Sequence, residues 1–357
     1  MKTAIIGLPM VGKTSLFTIL TGVHEASHIG SMAIRLGMAK VPDARLEKLA
    51  ELYQPPKVTH AVVEYADTPP ISKEALRDPR YLAGLRVVDA FAHVLRLFPD
   101  PSIPHEAGTV DPLRDLENAD LELILSDLLV VEKRMERLDK DRKKLKAPEL
   151  DQEFEVLERC KAALEANQPL RSLDFTAEEE KRIRGFQFLS LKPMLYVLNI
   201  GETDAPRLRE LEAEYRTGPL AGRPRTEVTA ICGNVEAELA ELSSEDAREY
   251  LASYGLKESG LERLISATYK LLGLMSFLTA GETEVRAWTI PANSTAVKAA
   301  GAIHTDFEKK FIRAEVVNWQ ALIDHGGYPG VREKGLLRLE GKEYIVKDGD
   351  VLVIRHG

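Results

Sequence analysis

Apolar and polar positions divide the chain into three regions. Up to about residue 100, short apolar runs alternate with amphipathic segments, which predicts the alternating strands and helices of a parallel sheet. The predicted strands here are Thr3–Ile6, Ala61–Tyr65 and Ala90–Leu97, and the predicted helices are Ser15–Leu20 and Leu46–Leu52. The same pattern returns later in the chain, with strands at Met194–Leu198 and Glu227–Ile231 and a helix at Leu261–Leu272.

The region from about residue 112 to 186 is predicted to be helical. Its apolar residues recur at alternating steps of three and four, the spacing of a heptad seam. The first seam runs through Leu121, Ile124, Leu128, Val131, Met135, Leu138 and Leu145, and the second through Leu150, Phe154, Leu157 and Leu164. Because Pro148 interrupts the pattern between the seams, we expect an antiparallel helical hairpin, a coiled coil inserted into the α/β domain.

The last region, from about Glu282, contains short strands separated by turn pairs such as Asp348-Gly349. The predicted strands are Val285–Ile290, Leu336–Leu339, Glu343–Val346 and Val351–Ile354, and Thr295–Ile303 is a predicted helix. We therefore expect a small mixed β domain. The predicted boundaries are 1–110 and 187–280 for the α/β domain, 111–186 for the helical insertion and 281–357 for the β domain.

A glycine-rich motif follows the first predicted strand. Residues Gly7–Thr14 read G-x-x-x-x-G-K-T, the P-loop pattern, in which glycines allow backbone N–H groups to turn toward a phosphate. Lys13 supplies positive charge for the β- and γ-phosphates, and the Thr14 hydroxyl can ligate Mg²⁺. The next helix meets the phosphates at its N-terminus. The sequence therefore predicts a nucleotide triphosphate site formed by Pro9, Met10, Val11, Gly12, Lys13, Thr14 and Ser15.

A second group of residues is placed to contact the base. Asn199-Ile200-Gly201-Glu202 follows a later predicted strand, where GTPases carry N-K-x-D and a short Asp accepts two hydrogen bonds from guanine. Glu202 is one methylene longer than Asp, which weakens the preference for guanine and leaves adenine as an alternative. The predicted base-binding residues are Asn199, Ile200, Glu202, Cys232, Gly233 and Asn234.

Composition and charge limit the range of functions. The 357 residues are 44% hydrophobic and 29% charged, as expected of a globular protein. The net charge of −8 argues against a surface that coats nucleic acid generally, although eight basic residues lie between Lys133 and Lys146 at the expected hairpin tip. No apolar stretch has membrane length, no signal peptide is visible, and the two cysteines suit a reducing compartment. We expect a cytoplasmic protein with no membrane and no DNA as partners.

Several segments together resemble the YchF family, the Obg-like ATPases. They are the base-loop segments Asn199–Glu202 and Ile231–Glu238, the V-P-D-x-R-L stretch Val41–Leu46, the strand Val88–Arg96, and the C-terminal stretches Phe277–Ile290, Ala299–Val316 and Leu336–Val351. The resemblance covers nearly the whole chain. It implies an α/β fold with a P-loop NTPase sheet of the G-domain type, an inserted antiparallel coiled coil and a C-terminal β-grasp (ubiquitin-like) TGS domain.

The same resemblance implies hydrolysis of ATP, often alongside GTP, with Mg²⁺, and association with ribosomes. The hairpin tip (Lys133 to Lys146) and the TGS domain would then contact the ribosome and its RNA, since a local positive patch suffices to attract phosphates.

Two segments depart from the family pattern. Ser31 stands where the family has a switch I Thr, so its hydroxyl would close on Mg²⁺. Asp67 would hold Mg²⁺ and act with Lys13 in catalysis, but it opens Asp67-Thr68-Pro69-Pro70 in place of D-x-x-G. Pro70 has no N–H and a fixed φ, so the usual contact of this position with the γ-phosphate cannot form. A stiffer switch II should respond less to the nucleotide state.

Three functions are therefore weighed, in order of preference. The first is a slow P-loop ATPase or GTPase that acts near the ribosome. The second is a nucleotide-binding adaptor for the ribosome or a protein that has lost hydrolysis, an alternative that Pro70 favours. The third is a GTP/GDP-binding switch, against which Glu202 argues.

Overall fold

The computed structural model describes residues 1–23, 34–145 and 147–357. The strands are β1 (Lys2–Ile6), β2 (Arg35–Lys40), β3 (Val58–Thr59), β4 (Val62–Asp67), β5 (Ala90–Arg96), β6 (Met194–Asn199), β7 (Thr226–Ile231), β8 (Leu274–Ala280), β9 (Val285–Pro291), β10 (Phe311–Asn318), β11 (Arg338–Glu340) and β12 (Asp350–His356). The helices are α1 (Lys13–Thr21), α2 (Ala44–Tyr53), α3 (Pro79–Arg86), α4 (Pro112–Lys144), α5 (Pro148–Glu165), α6 (Ala177–Ile183), α7 (Leu208–Thr217), α8 (Gly233–Leu239), α9 (Ser244–Ser253), α10 (Gly260–Leu271), α11 (Ala296–Ile303), α12 (Thr305–Lys309), α13 (Trp319–Asp324) and α14 (Tyr328–Glu333).

The first of two compact units comprises residues 1–38 and 64–267. Its sheet has the strand order β2-β4-β1-β5-β6-β7, and β4, β1, β5, β6 and β7 pair in parallel. Every residue of β5 and β6 is buried, as expected at the centre of a parallel sheet. Because parallel strands end at the same edge, Gly7, Asp67 and Asn199 lie along one edge of the sheet. The predicted α/β fold is confirmed.

Helices α4 and α5 form the predicted antiparallel hairpin inside this unit. Its core contains the buried side chains Ile124, Val131, Leu138, Val156, Leu157 and Leu164. The pairs Arg134–Glu153 (2.7 Å) and Lys161–Glu132 (3.8 Å) join the two helices in antiparallel register.

Two residues that were predicted to lie in the heptad seam lie outside it. Leu121 is 38% exposed and Leu145 is 63% exposed. The first part of α4 packs on the sheet through Leu116, Ala119 and Leu123, so the hairpin seam begins only at Ile124. At the other end, α4 stops at Lys144 and leaves Leu145 in the connection.

Buried polar contacts fix the root of the hairpin. Asp127 of α4 accepts the backbone N–H groups of Leu189 (2.9 Å) and Ser190 (2.7 Å), which precede β6. Burial raises the pKa of the Asp127 carboxyl to about 6. Nearby, the buried Arg171 guanidinium donates to Asp120 at 2.5 Å. These contacts tie the hairpin to the segment that returns the chain to the sheet.

The second compact unit comprises residues 39–63 and 268–357. Its mixed sheet has the order β11-β10-β12-β8-β9-β3, with β12 parallel to β8 and antiparallel to β10. A core formed with α11 includes Ala296, Ala299, Ala300, Phe277 and Val316. The expected C-terminal sheet domain is therefore present.

Residues 39–63 belong to this second unit, whereas the boundaries drawn from the sequence placed them in the α/β domain. The V-P-D-x-R-L stretch explains their position. Asp43 caps α2 by accepting the N–H of Arg45 (3.0 Å), and the Arg45 guanidinium donates to Asp348 (2.7 Å) in the turn before β12. The V-P-D-x-R-L stretch thus attaches α2 to the C-terminal sheet domain by a hydrogen-bonded ion pair.

The predicted strand Glu343–Val346 is wrong, because Ile345 forms only an isolated bridge with Thr295. The chain turns after β11, where the Tyr344 N–H donates to the Gly341 carbonyl, and no ladder continues. Two residues of interest, Ser31 and Lys146, lie outside the described residues. Among the helices of the described part of the chain, none has the length and apolar composition needed to cross a membrane.

Candidate nucleotide-binding site

The loop between β1 and α1 has the backbone of a phosphate cradle. Gly7, Met10 and Gly12 adopt positive φ values of 146°, 60° and 98°. A Cβ atom on Gly7 would lie 2.7 Å from the Val94 carbonyl oxygen, and one on Gly12 would lie 2.6 Å from Asn199 Nδ2. Both glycines are therefore required by the close approach of a neighbouring atom, from the backbone at Gly7 and from a side chain at Gly12, as well as by their φ angles.

Lys13 is the first residue of α1 and is only 6% exposed. Its Nζ donates to the Leu8 carbonyl oxygen at 2.5 Å, so the ammonium folds back over the loop. Burial lowers the pKa of Lys13 to about 8, and the charges of Asp67 and Glu106 partly oppose this effect. A desolvated ammonium surrounded by inward-facing backbone groups is well suited to bind an anion.

Thr14 and Asp67 form an oxygen-rich pair at the start of α1. The Thr14 hydroxyl donates to Asp67 Oδ2 at 3.2 Å, and Asp67 is 6% exposed. Asp67 Oδ1 is buried and has no hydrogen-bond partner among the described residues. A buried carboxylate oxygen that lacks a donor fits a cation, and Mg²⁺ prefers such oxygen ligands. The residues present therefore fit the Mg²⁺ that a P-loop site implies.

Switch II, here residues 67–86, begins in a fixed conformation. The Thr68 hydroxyl donates to the Ile5 carbonyl (2.7 Å), the Ile71 N–H to the Gly7 carbonyl (3.2 Å), and the Tyr81 hydroxyl to the Pro69 carbonyl (3.1 Å). Ile71 and Tyr81 are buried. The segment after Asp67 is thus hydrogen-bonded to β1, to the P-loop and to α3.

Asn199 connects the P-loop to the predicted base loop. Its Nδ2 donates to the Val11 carbonyl at 2.9 Å, and its Oδ1 accepts the Gly233 N–H at 3.2 Å. At the exposed edge, Asn234 Nδ2 donates to Glu202 Oε1 at 2.8 Å. These contacts bring the two base-loop segments together, as their sequence positions predicted.

The remaining predicted base-site residues contribute differently. Ile200 and Cys232 are each 2% exposed, and both side chains pack in the core of the first unit. Burial also raises the pKa of the Cys232 thiol. At these positions only the backbone is available to a nucleotide.

Two charged residues at the site were not identified from the sequence. The Arg35 guanidinium of β2 donates to Asp67 Oδ2, the oxygen that also accepts from Thr14. Glu106, in the loop after β5, lies close enough to Lys13 to act on its pKa. Neither residue belongs to a motif, and Arg35 precedes Asp67 by 32 positions, so spacing along the chain gave no signal.

His93 in β5 lies beneath the loop and is 1% exposed. Both ring nitrogens lack a hydrogen-bond partner among the described residues, and burial lowers the pKa of His93 to about 4. The imidazole is therefore neutral near pH 7, in line with a packing role.

Comparison with known proteins gives relatives over the full length. The ribosome-binding ATPase YchF of Bacillus subtilis is 42% identical over 362 residues, covering 99% of this chain and 99% of the relative. The ribosome-binding ATPase YchF of Haemophilus influenzae is 39% identical over 361 residues, covering 99% and 98%. Residues 274–357 match the family described as YchF-GTPase_C, protein of unknown function (DUF933).

A solved structure agrees with the sequence relatives. The Schizosaccharomyces pombe YchF GTPase has a TM-score of 0.83 and 30% sequence identity, covering 99% of this chain and 97% of the other. With full-length relatives at this identity and a matching fold, the chain belongs to the YchF family.

Proposed function

We propose that this protein binds ATP with Mg²⁺ at the P-loop, hydrolyses it slowly, and acts on the ribosome in the cytoplasm. The observation that carries the proposal is the phosphate cradle, in which Gly12, Lys13 and the Thr14–Asp67 pair lie together at the N-terminus of α1. Relatives named ribosome-binding ATPase YchF support the same activity and the same partner.

Lys13 is the principal group for the phosphates. Its ammonium would exchange the Leu8 carbonyl for phosphate oxygens, a stronger partner because the hydrogen bond is then charged on both sides. Positioning and charge stabilisation account for most of the catalysis of phosphoryl transfer. Mg²⁺, held by Thr14 and Asp67 and, by family resemblance, Ser31, would neutralise further phosphate charge when bound.

The base-loop contacts support adenine over guanine. Recognition of guanine in GTPases needs a carboxylate that is open to accept two N–H groups. Here Glu202 already accepts from Asn234 at 2.8 Å, and guanine would have to displace this contact. Asn199 is likewise engaged with Val11 and Gly233, so it shapes the loop without reading the base. ATP is therefore the preferred nucleotide and GTP the alternative.

The fixed start of switch II supports slow turnover. Contacts of Thr68, Ile71 and Tyr81 hold the segment that in other P-loop proteins reorders with the γ-phosphate. Pro70 cannot donate a backbone hydrogen bond there. The same observations favour the second candidate, a nucleotide-binding adaptor without hydrolysis, which turnover measurements separate from the first.

The exposed hairpin tip supports a ribosomal partner. Arg134 and Arg142 of α4 are paired with Glu153 and Asp151 of α5. The cations left exposed on the described part of the tip are Lys133, Arg137, Lys140, Lys143 and Lys144. A cluster of this kind attracts RNA phosphates despite the overall negative charge.

Equilibrium binding of fluorescent ATP and GTP analogues tests the first step. We expect the wild type to bind ATP more tightly than GTP, and Lys13→Ala to lose about tenfold to a hundredfold in affinity, the worth of a charged hydrogen bond. Glu202→Asp should reduce the difference in affinity between ATP and GTP. Equal affinity of Lys13→Ala and wild type would refute the site, and a wild-type preference for GTP would refute the adenine assignment.

A further inference from the structure

Asp67 and Arg35 form an ion pair at the position expected for the metal. Asp67 Oδ2 accepts from the Arg35 guanidinium and, at 3.2 Å, from the Thr14 hydroxyl. The Asp67 carboxylate side chain is 7% exposed and the Arg35 side chain 14% exposed, so the pair is shielded from water. The Arg35 guanidinium therefore contacts Asp67, the carboxylate that together with Thr14 fits Mg²⁺.

Arg35 is held in this position by a second contact. Its guanidinium carbon lies 5.2 Å from the ring centroid of Phe17, which is fully buried in α1. A guanidinium near an aromatic ring gains cation–π stabilisation and loses little further freedom when it pairs with a carboxylate. Arg35 begins β2, next to β4 in the sheet, so the backbone also fixes where its side chain starts.

We propose that Arg35 serves as an internal cation that compensates Asp67 when no metal is bound, and that Mg²⁺ competes with it for the charge of this carboxylate. Oδ2 already accepts from Arg35 and Thr14, which leaves Oδ1, unpartnered among the described residues, open to a metal ion. A metal ion there and Arg35 would share one negative charge, so each weakens the binding of the other to Asp67. Because this role of Arg35 concerns the binding of nucleotide with and without Mg²⁺, it rests on the proposed function.

The consequence is a nucleotide site that tolerates the absence of Mg²⁺. Without a compensating cation, the buried negative charge of Asp67 repels the phosphates of a nucleotide bound at α1. With Arg35 paired to Asp67, this repulsion is reduced, and the bare nucleotide still binds. Mg²⁺ then improves nucleotide affinity only by the difference between its own interaction with Asp67 and the Arg35–Asp67 interaction that it weakens.

Fluorescence titration of ADP and ATP analogues in excess EDTA and in Mg²⁺ tests this role. The quantity compared is the ratio of the Kd in EDTA to the Kd in Mg²⁺. Since removing one partner of a buried ion pair leaves the other charge uncompensated, we expect this ratio to be about tenfold larger in Arg35→Gln than in the wild type. The Mg²⁺ concentration at half effect should fall in the same variant.

Two variants serve as controls. Arg35→Lys keeps the positive charge and should lie near the wild type. Arg159→Gln removes another arginine that pairs with a carboxylate, Glu179, and lies near an aromatic ring, Phe175, away from the P-loop. Its ratio should equal that of the wild type.

The outcomes distinguish the two proposals. An unchanged ratio in folded Arg35→Gln, with a wild-type circular dichroism spectrum and nucleotide binding intact, overturns the role of Arg35 alone. Equal weakening in EDTA and in Mg²⁺ also overturns it, because Arg35 would then contact the nucleotide or support the fold. Failure of the wild type to bind nucleotide in either condition overturns the proposed function, and this role with it.

Discussion

Gly12 and Gly22 cap the two ends of α1, and both have a left-handed backbone, with φ values of 98° and 68°. Their surroundings differ. A Cβ on Gly12 would lie 2.6 Å from Asn199 Nδ2, whereas a Cβ on Gly22 would meet no atom within 4 Å. Gly12 is therefore needed both for its φ angle and for the hydrogen bond that joins Asn199 to Val11.

Substitution of Gly12 by Ala should weaken nucleotide binding more than it weakens the fold. The strained φ costs about 1–3 kcal/mol, and the displaced Asn199 side chain adds the loss of a hydrogen bond, so we expect affinity to fall by about tenfold or more. Gly22→Ala is the matched control, because it carries the φ penalty without the contact. Equal nucleotide affinities in the two variants would show that the Asn199 contact does not matter.

The lowered pKa of Lys13 predicts that nucleotide binding depends on pH. Its pKa is lowered to about 8 by burial, and phosphates at the loop raise it again, so binding at a pH slightly above that value takes up protons. Nucleotide affinity should then fall as the pH rises above about 8. Isothermal titration calorimetry in buffers of different ionisation enthalpy measures this uptake directly.

Lys13→Arg provides the control for this effect, since arginine stays charged throughout the range. Its affinity, even if lower, should not change over the same pH interval. The absence of proton uptake by the wild type would mean that Lys13 already carries its proton in the free protein.

At the residue scale, the sequence indicated the groups that belong to motifs. The P-loop residues were identified from the spacing of Gly7–Thr14, and Asn199 from its place after a predicted strand, although its observed partners, Val11 and Gly233, are distant in sequence. Arg35 was missed because its contact with Asp67 depends on the pairing of β2 beside β4, which follows from packing and not from a motif. Ile200 was assigned to the base, yet its side chain packs in the core.

At the scale of elements, the basic residues of the hairpin tip are of two kinds. Some pack between α4 and α5, and others are exposed. Arg142 lies 4.2 Å from the ring centroid of Phe154 and pairs with Asp151, so it contributes to the packing of α4 on α5. Arg137 and Lys140 are exposed and lack ion-pair partners in the part of the chain that the structure describes. Only residues of the second kind are available for the proposed contact with ribosomal RNA.

Reversal of these exposed charges tests the ribosomal partner. The double variant Arg137→Glu/Lys140→Glu should co-sediment less with ribosomes, and the loss should shrink as salt is raised, because counterion release drives such binding. Arg248→Glu/Lys257→Glu makes the same change in net charge at exposed positions elsewhere and should behave as the wild type. Equal co-sedimentation of both variants would contradict the proposed contact and show that the hairpin tip is only a solvent-exposed helix end.

At the scale of the whole molecule, the sequence predicted the α/β sheet, the inserted hairpin and the C-terminal sheet. In these regions the periodicity of the apolar residues and the turn-forming residue pairs are both clear in the sequence. Residues 39–63 were placed in the α/β domain, but they form part of the second unit. Nothing local marks this membership, because it follows from long-range contacts such as the pairing of β3 with β9 and the ion pair Arg45–Asp348, which joins positions 303 apart.

The path of the chain between the two units also separates two residues of the nucleotide site, Arg35 and Asp67. The chain leaves the first unit just after Arg35 and returns through β4, which ends at Asp67. Arg35 and Asp67, which form the ion pair, are thus the site residues immediately before and immediately after the segment 39–63 that belongs to the second unit.

Steady-state hydrolysis of ATP and GTP with Mg²⁺ tests the central claim most directly, in the wild type and in the Lys13→Ala and Pro70→Gly variants. We expect the wild type to turn over ATP in preference to GTP, at well below about 10 per second, the typical enzyme rate. Lys13→Ala should abolish turnover, and Pro70→Gly should raise it by freeing switch II. If the wild type binds ATP but leaves it intact over hours, the protein is an adaptor and the proposed ATPase activity is wrong.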